Sequence, residues 1–381
     1  MIRKARLRDL GALVEIENAS FEVDRFSRRS FRYLLTRANA ETLVSEDETG
    51  VLLGYVTLLF HTGTSLARLY SLAVLPAARG RGIGRALIEA AEAAALANDC
   101  VSLRLEVRRD NAETIRLYEK LGYRLFGKHA DYYEDHMEAL RCEKHLAPQL
   151  KPELVRVPYY KQTLDFTCGP SALMMAMKAL EPQLKLSRKL ELRLWRESTT
   201  VYMTSGHGGC GPYGMALAAY RMGFDVEVYV NGKAVMFLDS VRSKEKKEVM
   251  RLVQEDFVAE LKTLPVRVRY GALSVDAIQE KFEGGGIPIV LVSSYRIYRE
   301  KFPHWVVVTG FDDRYVYVHD PYVDYEAGKL ALDSINMPIL KKDFDRMARY
   351  GKAGQKAVLI IRRRAGQERV AAQQGVAWRH T

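Results

Sequence analysis

Three prolines within eleven residues, Pro148, Pro152 and Pro158 in "APQLKPELVRVP", constrain this chain more than any other feature. Proline fixes its own φ and biases the residue before it toward extended backbone, so no helix runs through such a stretch and it reads as a linker. It divides 381 residues, more than one ordinary core accommodates, into two parts. The expected organisation is a first domain at residues 1–146, a linker at 147–154, a second domain at 155–363 and a tail at 364–381.

Hydrophobic residues make up 48% of the chain and charged residues 28%, a soluble globular balance. No apolar run reaches the roughly 18 residues of a membrane span. The start, "MIRKARLRDLGALVEIENASF", carries charges throughout and has no apolar signal core, so a cytoplasmic protein without membrane contact is expected. Cys100, Cys142, Cys168 and Cys210 form no C-x-x-C pair, which argues against structural zinc and for a reducing compartment. The net charge of +11 suits anionic partners: a phosphorylated cofactor, RNA or ribosome, or an acidic protein surface. Five arginines against one glutamate from Arg362 to Thr381 account for +4 of it, in a tail without periodicity that reads as disordered. No aromatic-and-basic signature of a nucleic-acid module is present.

The first part alternates. Strands are expected at residues 2–5, 41–46, 51–60, 66–75, 101–107, 123–127 and 136–143, with helices at 8–19 (after Asp9), 27–36, 82–96 and 111–121. That pattern implies an α/β sandwich. "LYSLAVLPAARGRGIGRALIEAAEAA" joins a buried strand to a helix through Arg79, Gly80, Arg81, Gly82, Ile83 and Gly84, an R-x-x-G-x-G pattern. Glycines let backbone approach a ligand, successive amides point at one anion, and the helix start and arginines add positive charge, so a pyrophosphate fits. The spacing is not the G-x-G-x-x-G of a dinucleotide fold.

This stretch, together with "LRLEVRRDNAETIRLYEKLGY", resembles the GNAT N-acetyltransferases, particularly the RimI-like enzymes that acetylate protein N-termini, over about residues 1–145. The resemblance implies acetyl-coenzyme A as cosubstrate, its pyrophosphate on the amides of residues 79–84. It implies a splayed strand at Leu72, Ala73 and Val74 that aligns the pantetheine, and Asn111 on the cofactor side. Glu106 and Tyr118 match the family's general base and general acid. An amine attacks only when neutral, so a carboxylate must take its proton, and a phenol helps the departing thiolate. Equally, Glu106 reads as a strand carboxylate between Arg104 and Arg108, and Tyr118 as a packed helix aromatic. "HADYYEDHMEAL" supplies Tyr132, Tyr133, Glu134 and Asp135 either to a peptide-binding hairpin or to an ordinary turn.

The second part reads as α+β, with helices first and a mostly antiparallel sheet after. In "KQTLDFTCGPSALMMAMKAL", Cys168 opens a helix apolar on every side and therefore buried. A thiol becomes a nucleophile at a helix N-terminus beside an imidazolium, and Pro170 suits the first helical turn. Gln162, six residues earlier, can aim its amide at an oxyanion beside the Cys168 N–H. "HWVVVTGFDDRYVYVHDP" offers His304 at one strand's start and Asp320 at the end of the next; a hairpin through "DDR" brings those ends together. His319 points away from Asp320 by strand alternation. Cys210 lacks a glutamine six residues before it, and His207 with Cys210 makes too few ligands for a metal.

These strings resemble the papain-like cysteine peptidases that cut bacteriocin leaders after double glycine, over about residues 155–325. The resemblance implies Cys168 as nucleophile, His304 as general base and acid, Asp320 as orienter and Gln162 in the oxyanion hole. This sequence departs from the transporter-linked members, with no membrane domain or ATPase and an acetyltransferase instead, which argues against a double-glycine leader as the expected substrate. The expected whole is a GNAT α/β sandwich followed by a papain-like fold. It acetylates a peptide or protein amine, its α-amino group first, and attacks a peptide amide through a thioester. The alternatives are an acetyltransferase with an inactive peptide-holding module, and a basic adaptor for coenzyme A and RNA.

Overall fold

The computed structural model describes residues 1–147, 153–199, 208–300, 302–325 and 331–364. Most of the expected linker (148–152), the loop holding His207 and nearly all of the basic tail lie outside the described residues. The chain divides into two compact units, Met1–Leu150 and Lys151–Thr381.

The first unit carries β1 (Ile2–Lys4), α1 (Leu10–Ser20), α2 (Arg28–Thr36), β2 (Ala40–Glu46), β3 (Leu52–Phe60), β4 (Leu66–Val74), α3 (Ile83–Ala97), β5 (Ser102–Arg108), α4 (Ala112–Lys120), β6 (Arg124–His129) and β7 (Ala139–His145). The sheet order is β1-β2-β3-β4-β5-β7-β6, and the β4–β5 pair is parallel. Leu10, Leu13, Ile16 and Phe31 of α1 and α2 bury against Val44, Tyr55 and Ala73. Leu87, Ile88, Ala91 and Tyr118 of α3 and α4 bury with Leu58, Leu103 and Leu105. Helices therefore cover both faces, the sandwich that strand alternation demands. Asp9 does not cap α1 through its side chain. Its carboxylate accepts from the Arg6 N–H (2.7 Å) and pairs with Arg3, closing a short 3₁₀ turn at Leu7–Asp9.

The second unit adds β8 (Glu153–Leu154), α5 (Cys168–Leu180), α6 (Arg188–Ser198), α7 (Pro212–Arg221), β9 (Phe224–Val230), α8 (Lys244–Lys262), β10 (Arg267–Tyr270), α9 (Val275–Glu283), β11 (Ile287–Ser293), α10 (Tyr295–Tyr298), β12 (Pro303–Phe311), β13 (Tyr315–His319), β14 (Met337–Leu340), α11 (Lys341–Met347) and β15 (Ala357–Arg363). The order β10-β9-β15-β11-β12-β13-β14, with β8 on β12, is antiparallel except at β10–β9. Every residue of α5 except Lys178 is buried. One sheet face (Ile289, Leu291, Trp305, Val307) packs with α5 and α7; the other (Val290, Val292, Val306, Val308) takes Ile278 and Phe282 of α9 and Phe344 of α11. The rigid α5 is thus the platform for the residue at its start.

Candidate active sites

In the first unit, β4 and β5 pair only from Leu66↔Ser102 to Leu69↔Leu105, and an irregularity between Thr57 and Leu58 of β3 leaves Tyr70 without a register partner. Beyond it the two strands part while β4 stays on β3. Leu75 N–H donates to Leu53 O (2.9 Å), so alternation directs the Leu72 and Val74 backbone groups into the gap and those of Ala73 toward β3. Past the gap, Gly80 and Gly82 hold φ of +75° and +76°, with open space where a side chain would stand. Gly82 caps α3, and the first intrahelical bond recorded there is Ala86 N–H to Gly82 O, which leaves the Ile83 and Gly84 amides free for an anion. Arg79 Nε reaches Val74 O at 3.3 Å. Asn111 caps α4, its Oδ1 accepting from Thr114 N–H at 3.1 Å.

Glu106 lies at the same gap, with a side chain only 4% exposed. Its Oε2 accepts from Arg68 Nε (2.8 Å) and its Oε1 from Arg141 Nε (2.6 Å). Tyr118 is buried, edge-on to Tyr123, and its hydroxyl has no hydrogen-bond partner among the described residues. Burial pushes its phenol well above the ordinary range, and nearby Cys142 and Glu106 add to the effect, so it stays protonated. The β6–β7 hairpin is pinned down: Tyr132 Oη accepts from Arg68 (2.7 Å), Arg108 pairs with Asp135 (2.8 Å) and lies over Tyr133, and the Asp24 and Glu134 N–H groups each donate to the other's carboxylate.

In the second unit, β11, β12 and β13 bring His304 to Asp320. His304 Nε2 meets Asp320 Oδ1 at 2.5 Å, with side chains 1% and 0% exposed. Asp320 Oδ2 accepts from Tyr298 Oη (2.6 Å) and Oδ1 from Tyr322 N–H (2.8 Å). Burial opposes the imidazolium, but the charge and hydrogen bond of Asp320, with a further hydrogen bond to Cys168, outweigh it and push His304 up to about 10. Burial likewise opposes the Asp320 carboxylate, and His304 and Tyr298 overcome it, holding the group below the ordinary 3.8. With Asp320 on Nε2, the other ring nitrogen is left for Cys168.

Cys168 is buried at the first position of α5. A Cβ on Gly169 would stand 2.9 Å from Met215 Sδ, 3.2 Å from Cys210 Cβ and 3.3 Å from Trp305 Cδ1, so only glycine lets the helix start lie this close. Trp305 Nε1 ties that wall together by donating to Cys210 O at 3.0 Å. Gln162 is buried; its Nε2 donates one hydrogen to Leu164 O (2.9 Å) and keeps a second. His319 is held by backbone, its Nε2 on Val157 O (2.8 Å) and its Nδ1 on Asn336 N–H (3.0 Å). No cluster of metal-ligating side chains occurs among the described residues. Tyr298, Arg68, Arg141 and Glu191 are part of these sites without any local sequence motif. The one available signal is an acid interrupting the apolar pattern of "RKLELRLW".

A model described as "Peptidase_C39 like family" matches residues 157–362, and one described as "Acetyltransferase (GNAT) family" matches residues 10–123. The chain belongs to the Peptidase_C39-like family and carries a GNAT domain before it. The GNAT domain is an N-acetyltransferase of the RimI-like kind. A Bacillus subtilis protein assigned by name to the ribosomal protein bS18-alanine N-acetyltransferases is 31% identical over 137 residues, 36% of this chain and 89% of that protein. The Escherichia coli ribosomal-protein-S18-alanine N-acetyltransferase structure has a TM-score of 0.36 and 25% identity, covering 38% of this chain and 93% of its own. The ribosomal-protein-alanine N-acetyltransferase of Brucella melitensis has a TM-score of 0.34 and 24% identity, covering 38% and 99%. The C39-like domain is consistent with a papain-like fold. No helix among the described residues is long and apolar enough to cross a membrane.

Proposed function

We propose that the chain is a bifunctional enzyme that acetylates a peptide or protein α-amine and attacks a peptide amide through Cys168. Acetyl-coenzyme A supplies a thioester carbonyl to the first reaction. The free amides at the start of α3, the positive-φ glycines and Arg79 and Arg81 fit its pyrophosphate; Leu72 and Val74 fit the pantetheine amides. Glu106 takes the amine proton, directly or through water, while Arg68 and Arg141 hold the carboxylate still; each oxygen retains a second lone pair. Tyr118, kept protonated by burial, donates to the leaving thiolate. Asn111 lies on the cofactor side of this cleft.

In the C39-like domain, the carrying observation is the buried His304–Asp320 bond facing a cysteine at a helix start. His304 takes the thiol proton, and the sulfur attacks the peptide carbonyl. The second Gln162 amide hydrogen and the Cys168 N–H, outside the intrahelical bonds of α5, receive the oxyanion. The imidazolium protonates the departing amine, and water or another amine then takes the acyl group from sulfur. Cleavage leaves a new α-amine, the group the GNAT domain acetylates, so one peptide suits both sites.

The test is mass spectrometry of a peptide library incubated with the protein, with and without acetyl-coenzyme A. Acetyl gain that needs the cosubstrate, and cleavage lost in Cys168→Ala, support the reading. Acetyl gain without any Cys168-dependent cleavage or adduct leaves an acetyltransferase joined to an inactive peptide-holding domain.

A further inference from the structure

Glu191 lies fully buried in the first turn of α6, and no ion pair to it occurs among the described residues. A lone buried carboxylate is costly unless its lone pairs are filled. Here five donors fill them. Oε1 accepts from Thr163 N–H (2.8 Å), Thr167 Oγ1 (2.5 Å) and, more weakly, Ser171 Oγ (3.4 Å). Oε2 accepts from Tyr160 Oη (2.9 Å) and Thr163 Oγ1 (2.8 Å). Four of these donors come from residues 163, 167 and 171, whose four-residue spacing brackets Cys168. The same segment holds Gln162. Thr167 Oγ1 also contacts Leu164 O (2.8 Å), the carbonyl that takes the Gln162 amide, so one hub orders both segments.

We propose that Glu191 is a positioning residue of the cysteine site. It fastens the Gln162 segment and the first turn of α5 into one rigid piece, which sets the Cys168 sulfur against His304. The inference rests on the peptidase reading above. Glu191 touches no reacting atom; its partners hold the groups that do. Tyr160 records the contact, since burial and then the Glu191 bond raise its phenol above the ordinary range. Besides Tyr160, the charged neighbour on that side is Arg188, from the start of α6.

The experiment alkylates the full-length protein with iodoacetamide and follows modification of Cys168 by peptide mass spectrometry at pH 6 and pH 10. Three proteins are compared: wild type, Glu191→Ala and Glu191→Gln. Gln keeps the acceptor at Oε1, and the hydroxyls around Oε2 can turn to accept from its amide. Misplacing a reacting group by about 1 Å costs on the order of 100-fold in rate. Glu191→Ala is therefore expected to slow Cys168 alkylation at pH 6 by about 10–100-fold and to recover most of it at pH 10, where bulk alkali ionises the thiol. Glu191→Gln is expected to stay within about threefold of wild type at both pH values. Cys100, Cys142 and Cys210, whose thiols burial pushes above the ordinary range, should remain unmodified in a folded variant and serve as the unfolding control. Two results overturn the proposal: a folded Glu191→Ala protein with the wild-type ratio of rates, or a Glu191→Gln protein as impaired as Glu191→Ala. If wild-type Cys168 itself reacts at pH 6 no faster than a free thiol, the peptidase reading fails, and a positioning role fails with it.

Discussion

Replacing Asp320 by Asn separates the charge of the buried pair from its shape. Asn occupies the same volume and can still accept from Tyr298 or Tyr322, but it no longer stabilises an imidazolium. His304 is raised from its ordinary value, so its contribution to stability is complete below about pH 6.5 and is lost as pH climbs through about 10. Asp320 is lowered, so its contribution is present above 3.8 and is lost only in acid. At about 1.4 kcal/mol per pH unit, the interval from 6.5 to about 10 amounts to at most about 5 kcal/mol. Breaking a buried pair by removing one partner costs about 3–5 kcal/mol, the same range. Near pH 6 the variant should therefore be less stable by about 3–5 kcal/mol, and the gap should narrow by several kcal/mol toward pH 10. Urea denaturation followed by tryptophan emission measures this, since Trp195 and Trp305 pack into the core of the second unit. A gap that stays constant to within about 1 kcal/mol between pH 6 and pH 10 would refute the charged-pair argument.

Other substitutions probe the remaining geometry. Gly82→Ala forces a side chain into φ of +76° and should cost about 1–2 kcal/mol in melting experiments while weakening acetyl-coenzyme A binding in calorimetric titration. Unchanged stability would mean that the left-handed turn is not required. Tyr118→Phe removes only the hydroxyl and should lower acetyl-transfer kcat by about 100-fold with KM for acetyl-coenzyme A unchanged; an unaltered kcat would make Tyr118 a packing residue. Gly169→Ala drives a methyl toward Met215, Cys210 and Trp305 and should destabilise the second unit by about 1–3 kcal/mol in urea. A neutral effect would show that this wall gives way easily.

The GNAT domain was legible almost element by element. Its strands alternate and its helices carry apolar stripes, so local pattern and tertiary burial agree. A local difference at Asp9 arose because Arg3 and the Arg6 amide compete for a carboxylate that sequence alone assigns to a helix cap, and β7 runs Ala139–His145 where 136–143 was expected. The second unit was legible where runs are mostly apolar, as in α5, β12 and β13. The long α8 was not, because the ten charged residues of "KEKKEVMRLVQEDFVAELK" mask an apolar stripe at Met250, Val253, Phe257 and Leu261, of which only Met250 and Leu261 are fully buried. The strand β10 was missed for a similar reason: "RVRY" has no fully buried residue, and its partner β9 lies far earlier in the chain. Within the sites, residues adjacent to a motif could be named from sequence. Their partners could not, because Tyr298, Glu191, Arg68 and Arg141 reach the sites only through tertiary contact.

The most direct measurement is intact mass after exposure to a thiol-directed acyl electrophile near neutral pH, comparing wild type, Cys168→Ala and His304→Ala. The account predicts a single adduct on wild type, none on Cys168→Ala and a rate reduced by at least about 100-fold on His304→Ala. Equal labelling of wild type and His304→Ala, or an adduct that persists without Cys168, would contradict it.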